Sequence, residues 1–341
     1  MNQQRQRIDE IDAQIAALLQ ERATLAQEIG ALKAEKGKPA YDPAREAEVL
    51  RSVSAAAGPL SPRQVRSLFT EIISACRALE QPLRVTFMGP QHTFSHVAAL
   101  QAFGSQAQYE PVTTITEVFR RVEAEQAEIG VVPVENSTGG VVPETLDCLL
   151  ESELKICAEL HVPVHVAVLS TTSLPEVRTL YTHPQPLSQT RQWLAEHLPL
   201  AEVKIASSTT AAAQQAASDP YGAALAPLEA AEAYGLDVLA VNIEDLPSNR
   251  TRFFLIATEE ARPTGRDKTS LVFSTAHRPG ALHEAMGAFA DHGLNLTLIQ
   301  SRPTRGQLWQ YVFYVDFEGH HQEPQVQQAL RALREHCALL K

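Results

Sequence analysis

Apolar residues recur at Ile8, Ile11, Ile15 and Leu18, then at Leu25, Ile29 and Leu32, a spacing that predicts one long helix with a seven-residue seam. The slot between Leu18 and Leu25 holds Arg22, a cation where an apolar side chain is due. A guanidinium in such a seam is costly unless an anion meets it. Three arrangements supply a reason: a carboxylate on a neighbouring helix, a coiled-coil interface, or a chamber between helices that binds a small polyanion with help from Arg5, Lys33, Arg45 and Arg66. Leu68, Ile72, Ile73 and Leu79 carry the helical pattern to about Glu80, with breaks at Gly37, Pro39 and Pro43 and again at Gly58, Pro59 and Pro62. Three helices, the first unusually long, predict an all-α module that buries its face by pairing with a second copy.

Beyond Pro82 the pattern changes to short β-branched runs alternating with alanine-rich helices. Strands are predicted at 85–87, 129–134, 161–169, 179–181, 203–206, 223–225, 238–243 and 253–256, which argues a parallel-rich α/β sheet. The long run from Ile156 to Ser170 is able to cross between two lobes, with ligands at strand C-termini between them. Residues 259–268, with Pro263 and Gly265 among charges, read as a linker. After it come a strand at 270–274, a helix at 281–292, strands at 294–300 and from Gln310 to Phe317, and a helix at 326–336. This βαββα order lacks one strand of a ferredoxin-like unit, and the sequence ends at Lys341 with that strand at most begun.

Composition narrows the function classes. Hydrophobic residues make up 44% and charged ones 20% of 341 residues, which suits two or three folded domains and excludes a disordered chain. No run of about 20 uncharged apolar residues is present, and the polar stretch Met1 to Glu10 is no signal peptide, so a cytoplasmic protein with no membrane partner is expected. Four cysteines without a Cys-x-x-Cys pair fit reduced thiols. A net charge of −11 argues against nucleic acid, and any anionic ligand must be caught by local cationic clusters. His92 with His96, and His161 with His165, share a metal-ligand spacing but have no nearby acidic or thiolate third ligand, so no metal is expected. No Gly-x-Gly-x-x-Gly follows a strand, and no cofactor is called for.

The candidate chemistry sits at strand ends. The predicted strand at 129–134 runs into Glu135-Asn136-Ser137-Thr138-Gly139-Gly140, a polar loop where α/β folds place ligands. Tyr181-Thr182-His183-Pro184-Gln185, followed by Gln189, forms a second such end, and Ser207-Ser208-Thr209-Thr210 before a helix a third. Hydroxyls there cap backbone amides, or with those amides hold a carboxylate. Gly89 to Ser95 gives another turn after a strand, and Asn249-Arg250-Thr251-Arg252-Phe253 is a polar run entering one. Taken singly, each reads equally well as ordinary turn or cap chemistry.

Their order and context together resemble the prephenate dehydratases, from about Leu83 to Thr258, with Thr251-Arg252-Phe253 after Glu135-Asn136 the most specific part. Upstream, Arg5, Arg22, Lys33, Asp42, Arg45, Glu46 and Glu80 fall where all-helical chorismate mutases place site residues. Downstream, Gly280-Ala281-Leu282 and Ser301-Arg302-Pro303 look like the phenylalanine-binding segments of ACT domains. The whole chain thus resembles the bifunctional chorismate mutase/prephenate dehydratases. The resemblance implies an all-α mutase module at 1–81, a two-lobed α/β dehydratase of periplasmic-binding-protein type at 83–258, a linker at 259–268 and an α+β ferredoxin-like ACT domain at 269–341. It implies a homodimer or larger homo-oligomer, with chorismate, prephenate and L-phenylalanine as ligands. His283 stands where the family usually has an aliphatic residue and Gln300 where it has Glu, a departure that bears on the grip on the amino group of phenylalanine.

For the mutase step the resemblance assigns Arg22 and Arg45 as site cations, Arg5 as a cation from the second subunit, Lys33 as donor to the ether oxygen, and Asp42 and Glu46 to the ring hydroxyl. Glu80 sits where a second donor to that oxygen is needed, which requires a carboxyl protonated through burial. For the dehydratase step it assigns Thr251 as donor to the departing hydroxyl, with Glu135, Asn136, Gln189 and His183 orienting. Ser208, Thr209, Arg252 and Phe253 contact substrate, although Arg252 alternates in direction with Thr251 along a strand. Two other readings compete: a dehydratase that prefers arogenate, and a non-catalytic small-molecule sensor with an ACT domain.

Overall fold

The computed structural model describes residues 1–37, 39–55, 58–303 and 311–341; Gln310 lies outside them. The chain divides into two compact units, one made of Met1–Asp42, Val49–Cys148 and Glu153–Glu260, the other of Pro43–Glu48, Leu149–Ser152 and Ala261–Lys341.

The heptad pattern at the start becomes α1 (Asn2–Glu35), 34 residues long, which ends where Gly37 takes a φ of +60°. α2 (Pro43–Ser54) follows, then α3 (Pro62–Glu80), opened by a capping box in which the Ser61 hydroxyl accepts from Gln64 N and Gln64 returns a bond to Ser61 N. α1 packs on α3, yet no residue of α1 is buried, and Ile8, Ile11, Ile15, Leu18, Leu25, Ile29 and Leu32 stay 40–62% exposed.

A mixed sheet builds the first lobe. Its strands are β1 (Arg84–Met88), β2 (Gln108–Val112), β3 (Ile129–Asn136), the two-residue β4 (Gly140–Val141) and β5 (Lys155–Pro163), with α4 (Phe94–Phe103), α5 (Ile115–Glu123) and α6 (Pro143–Glu151) between them. α5 shows how pattern becomes packing: Ile115, Val118, Phe119 and Val122 recur at helical spacing and are all buried, while the Thr114 side chain caps Glu117 N. α3 docks on this lobe through the buried Arg77, whose Nη2 donates to Phe103 O at 2.9 Å and whose guanidinium lies over the rings of Tyr41 and Phe103.

The second lobe holds β6 (Ala167–Ser170), β7 (Thr179–Thr182), α7 (Pro184–Gln189), α8 (Arg191–His197), β8 (Glu202–Ile205), α9 (Thr209–Ala217), β9 (Gly222–Ala226), α10 (Ala230–Tyr234) and β10 (Asp237–Ala240). Small side chains let α9 lie close on this sheet: Ala212, Ala213 and Ala216 meet Ala224 and Ala226, all of them fully buried. The chain then returns to the first lobe as β11 (Arg250–Ala257), which inserts antiparallel between β3 and β5. Sheet orders are β2-β1-β3-β11-β5 and β10-β6-β9-β7-β8. The parallel-rich expectation is corrected by this return: β11, β6 and β10 all run against their neighbours. Two crossings link the lobes and are laced together, with Val164 N donating to Asn249 O at 3.0 Å and Ile243 N to Val166 O at 3.2 Å. The buried Glu244 carboxylate adds bonds to Val166 N and His165 Nδ1.

In the second unit, β12 (Lys268–Thr275), α11 (Ala281–Asp291), β13 (Leu296–Pro303), β14 (Tyr311–Glu318) and α12 (Pro324–Glu335) give the βαββα order read from the sequence. The missing strand is present after all. β15 (Cys337–Leu340) pairs antiparallel with β12, and Val272 and Lys341 exchange both backbone bonds. The sheet order is β13-β14-β12-β15, antiparallel throughout, and Phe273, Phe289 and Phe317 anchor the core beneath α11 and α12.

Candidate active sites

The helical site is built by α1 and α3. Arg22 is half-buried, and its Nη1 donates to Ile72 O at 3.5 Å. Among the described residues no carboxylate pairs with it. Three turns further on, Lys33 Nζ donates to Ala40 O at 2.7 Å and to Glu80 Oε2 at 3.2 Å. This contact depends on Gly30: a Cβ there would stand 2.8 Å from Glu80 Cβ, so only glycine lets the end of α3 lie this close to α1. Glu80 therefore faces an ammonium, where burial alone was expected to keep it a neutral acid. Arg5 lies 17 positions before Arg22 on the same helix, about 25 Å away along its axis. It cannot join Arg22 from the same chain. Asp42 immediately precedes α2, and Arg45 and Glu46 occupy its first turn, where Arg45 Nη1 lies 3.2 Å from Glu48 Oε2.

The sheet site forms where β3 ends beside the start of β11. Register sets Asn136 opposite Thr251, so both side chains leave the sheet on one face. Asn136 Nδ2 donates to Thr251 Oγ1 at 2.9 Å and to Asn249 Oδ1 at 3.0 Å. Asn136 Oδ1 accepts from Thr138 N, Thr138 Oγ1 and Gly139 N, which turns the loop after β3 into a rigid nest. From the other lobe, Gln189 Nε2 reaches Thr138 Oγ1 at 3.0 Å and Asn136 Oδ1 at 3.4 Å. Asn136, Thr251 and Gln189 are 4%, 7% and 7% exposed. Because Thr251 Oγ1 accepts from Asn136, its own hydrogen remains to be donated elsewhere. Glu135 pairs in register with Arg252, so strand alternation sends its side chain to the face opposite Asn136, a correction to its expected place at the reacting group; its half-buried carboxylate makes no hydrogen bond or ion pair among the described residues.

The remaining candidates separate. Ser208 caps α9 by accepting from Ala211 N at 2.9 Å, which leaves its hydroxyl hydrogen free, and Thr209 is the first residue of that helix. His183 caps α7, and burial pushes its pKa below the usual 6.5, so it is neutral near pH 7. Thr210 Oγ1 donates to Gln91 O, tying the second lobe to the loop after β1. Arg252 projects away from Thr251: its Nε lies 2.6 Å from Glu159 Oε2, and its guanidinium covers the Phe254 ring. The strand alternation decides between the two neighbours, and the substrate-contact expectation for Arg252 meets a cation already engaged. Phe253 is a core side chain, 1% exposed. His96, one of the spaced histidines, stacks on Phe87 and accepts from His92 N.

With that geometry in place, three family models match the chain: chorismate mutase type II over residues 4–81, prephenate dehydratase over 85–261 and ACT domain over 269–335. A bifunctional chorismate mutase/prephenate dehydratase of Aquifex aeolicus is 44% identical over 99% of this chain and 95% of its own length. The chain belongs to the bifunctional chorismate mutase/prephenate dehydratase family. Among solved structures, a prephenate dehydratase of Arthrobacter aurescens in complex with L-Phe is 38% identical, with a TM-score of 0.71 over 76% of this chain and 88% of that one. A protein described as a novel type of quorum quenching acylase is 28% identical, with a TM-score of 0.69 over 76% of this chain and 95% of that one. One scaffold thus goes with two described chemistries, which is why the side chains, and not the fold, must carry the argument.

In the second unit Gly280 takes a φ of +82° as it opens α11, with Ala281 buried and Leu282 half-buried behind it. Ser301, Arg302 and Pro303 end β13. His283 is exposed, and Gln300 Nε2 donates to Ser301 O. Three residues of the sheet site were not singled out from sequence: Asn249, Thr138 and Ser137. Each stood inside a quoted polar run, but nothing in a turn-forming Asn or Ser tells which one will be buried against a reacting group. No helix among the described residues is long and apolar enough to cross a membrane.

Proposed function

We infer that the chain rearranges chorismate to prephenate in its helical module and converts prephenate to phenylpyruvate in its two-lobed module, under feedback inhibition by L-phenylalanine at the ACT domain. The observation that carries the reading is the Asn136–Thr251 pair, 2.9 Å apart on neighbouring strands, in a chain that belongs to this family. Prephenate loses its ring carboxylate as carbon dioxide; the released electron pair enters the ring as hydroxide departs and takes a proton from solvent to become water. Aromatisation drives the step, and the protein's task is to donate toward the departing oxygen. Thr251 supplies the donor and Asn136 fixes it. A threonine hydroxyl is too weak an acid to give up its proton alone, so it acts through a hydrogen bond made strongest in the transition state. Gln189 closes the second lobe over the substrate, and Ser208 and Thr209 with their helix N-terminus receive a carboxylate.

The mutase step is concerted and needs no nucleophile or cofactor; it needs the compact conformer held and charge on the ether oxygen met. Arg22 and Arg45 take the carboxylates, Lys33 and Glu80 converge on the ether oxygen, and Asp42 and Glu46 receive the ring hydroxyl. Arg5 of a second copy completes the set, and the bare seam of α1 is the surface through which that copy binds. Glu80→Gln puts an amide donor where the carboxylate meets Lys33; retained mutase activity supports a donor at that place, and its loss removes Glu80 from the donor role. The cytoplasm is the compartment that suits four thiols outside any disulfide.

The deciding experiment incubates the pure protein with chorismate and follows phenylpyruvate by its absorbance in alkali, with and without L-phenylalanine. Phenylpyruvate formation suppressed by phenylalanine supports all three modules. Accumulated prephenate would leave the dehydratase reading without support, and arogenate supplied in place of prephenate tests the amino-substrate alternative.

A further inference from the structure

Asn249 lies just before β11 and is 2% exposed, held on both sides by its backbone: its N donates to Leu246 O at 3.0 Å, and its O accepts from Val164 N at 3.0 Å at the crossing between lobes. Its side chain turns toward the end of β3, where Oδ1 accepts from Asn136 Nδ2 at 3.0 Å and from Ser137 Oγ at 3.3 Å. Ser137 is itself locked, since its N donates to Arg250 O and its Oγ accepts from Arg250 N. The Asn249 Nδ2 group is buried without a hydrogen-bond partner among the described residues. Buried amides nearly always pair both ends. Here the amide keeps the orientation that serves its oxygen and leaves its nitrogen unpaired, so the oxygen's partners set the conformation.

Asn136 Nδ2 has two hydrogens and three oxygens around it: Thr251 Oγ1 at 2.9 Å, Asn249 Oδ1 at 3.0 Å and Arg250 O at 3.3 Å. While Asn249 takes one hydrogen, the other is aimed at Thr251. Without that acceptor, the Arg250 carbonyl competes for the amide, and the bond that orients the threonine is no longer enforced. We propose that Asn249 is a positioning residue of the dehydratase step: its side-chain carbonyl fixes the Asn136 amide so that Thr251 accepts from Asn136 and keeps its own hydrogen for the substrate. This rests on Thr251 being the donor.

The test uses the full-length chain, with Asn249→Ala, Asn249→Asp, Thr251→Ala and the double variant Asn249→Ala/Thr251→Ala, each assayed for both activities. Asn249→Ala should lower dehydratase kcat by roughly 10²-fold, the size of a misplaced reacting group, with KM for prephenate within about twofold and mutase activity unchanged. Asn249→Asp retains an acceptor at the same place and should recover most of the loss. In the Thr251→Ala background, adding Asn249→Ala should change kcat by less than about threefold, because the residue through which it acts is already gone. A kcat within twofold of the parent for Asn249→Ala, a rise confined to KM, or full additivity in the double variant would overturn the proposal. If Asn249→Ala fails to fold and loses mutase activity as well, the Asp variant decides: a loss as deep as that of Thr251→Ala refutes the acceptor role. If Thr251→Ala is itself fully active, the donor reading fails first.

Discussion

The helical module and the two-lobed module are both assigned anionic substrates with a carboxylate on a ring, yet their candidate groups differ in kind. In the first they are charged and reach from helices: Lys33 is 27% exposed at its side chain, Arg22 is half-buried, and Arg5 stands on an exposed surface. In the second, Asn136 and Thr251 at strand ends and Gln189 at the end of α7 are neutral, buried and locked by one another. The contrast follows the chemistry assigned to each. A concerted rearrangement is served by holding two carboxylates and one oxygen, which long cations do well from several directions. Loss of hydroxide needs one donor aimed at one atom, which a rigid ladder does better than a flexible side chain. As proposed, the first site also draws Arg5 from a second copy, whereas the second closes within one chain.

That comparison can be broken at several points. Thr251→Ala should lower dehydratase turnover by about 10²–10³ and leave the mutase untouched; a parallel loss of both activities would show a fold defect and not a missing donor. Leu18→Asp places a charge in the α1 seam and should give a monomer whose mutase activity falls by about 10²-fold, from loss of one transition-state cation, while prephenate is still dehydrated. Light scattering that finds the same mass before and after would sink the shared-site idea. Gly30→Ala puts a methyl group 2.8 Å from Glu80 Cβ. It should cost the mutase about tenfold, equivalent to about 1.4 kcal/mol of barrier from misplacing a contact that needs glycine, with no change in the other activity.

The smallest effect concerns stability. His96 is stacked on Phe87 and accepts from His92 N, and burial, with a smaller push from His92, lowers its pKa from 6.5 to about 4. Below pH 6.5 the unfolded chain binds a proton that the folded chain refuses until about pH 4, so stability should decline across that window as pH falls. Urea midpoints at pH 7 and pH 5 check the sign, and His96→Leu should shrink the difference. An identical difference in the variant would assign it to other groups.

Much of this was legible because local pattern and tertiary use coincide. Arg22 stood out by occupying a seam slot and is half-buried on α1 against Ile72 of α3, and Glu135-Asn136 ends a buried strand in polar residues as the pattern implied. The strand run at 156–170 crosses between lobes as its length implied. Arg77 gave no such signal: it interrupts no apolar repeat, and only the approach of α3 to Phe103 reveals a buried cation. β2, with the polar sequence Gln108 to Val112, escaped because an edge strand buries little. β15 escaped because four residues at the end of a chain carry no periodicity, and their pairing is supplied by β12.

By itself the sequence determined which segments bury which faces, since helical and strand periods are local properties of the chain, and it confined the chemistry to a few strand ends. It could not say that β11 returns between β3 and β5, because antiparallel insertion is a long-range pairing with no local signature. That single choice of register sets Thr251 against Asn136, sends Arg252 to Glu159 on the other face and brings Asn249 beneath the amide. A one-residue slip would exchange all three, which is why the tertiary structure alone decided which of two adjacent polar residues can serve the reaction.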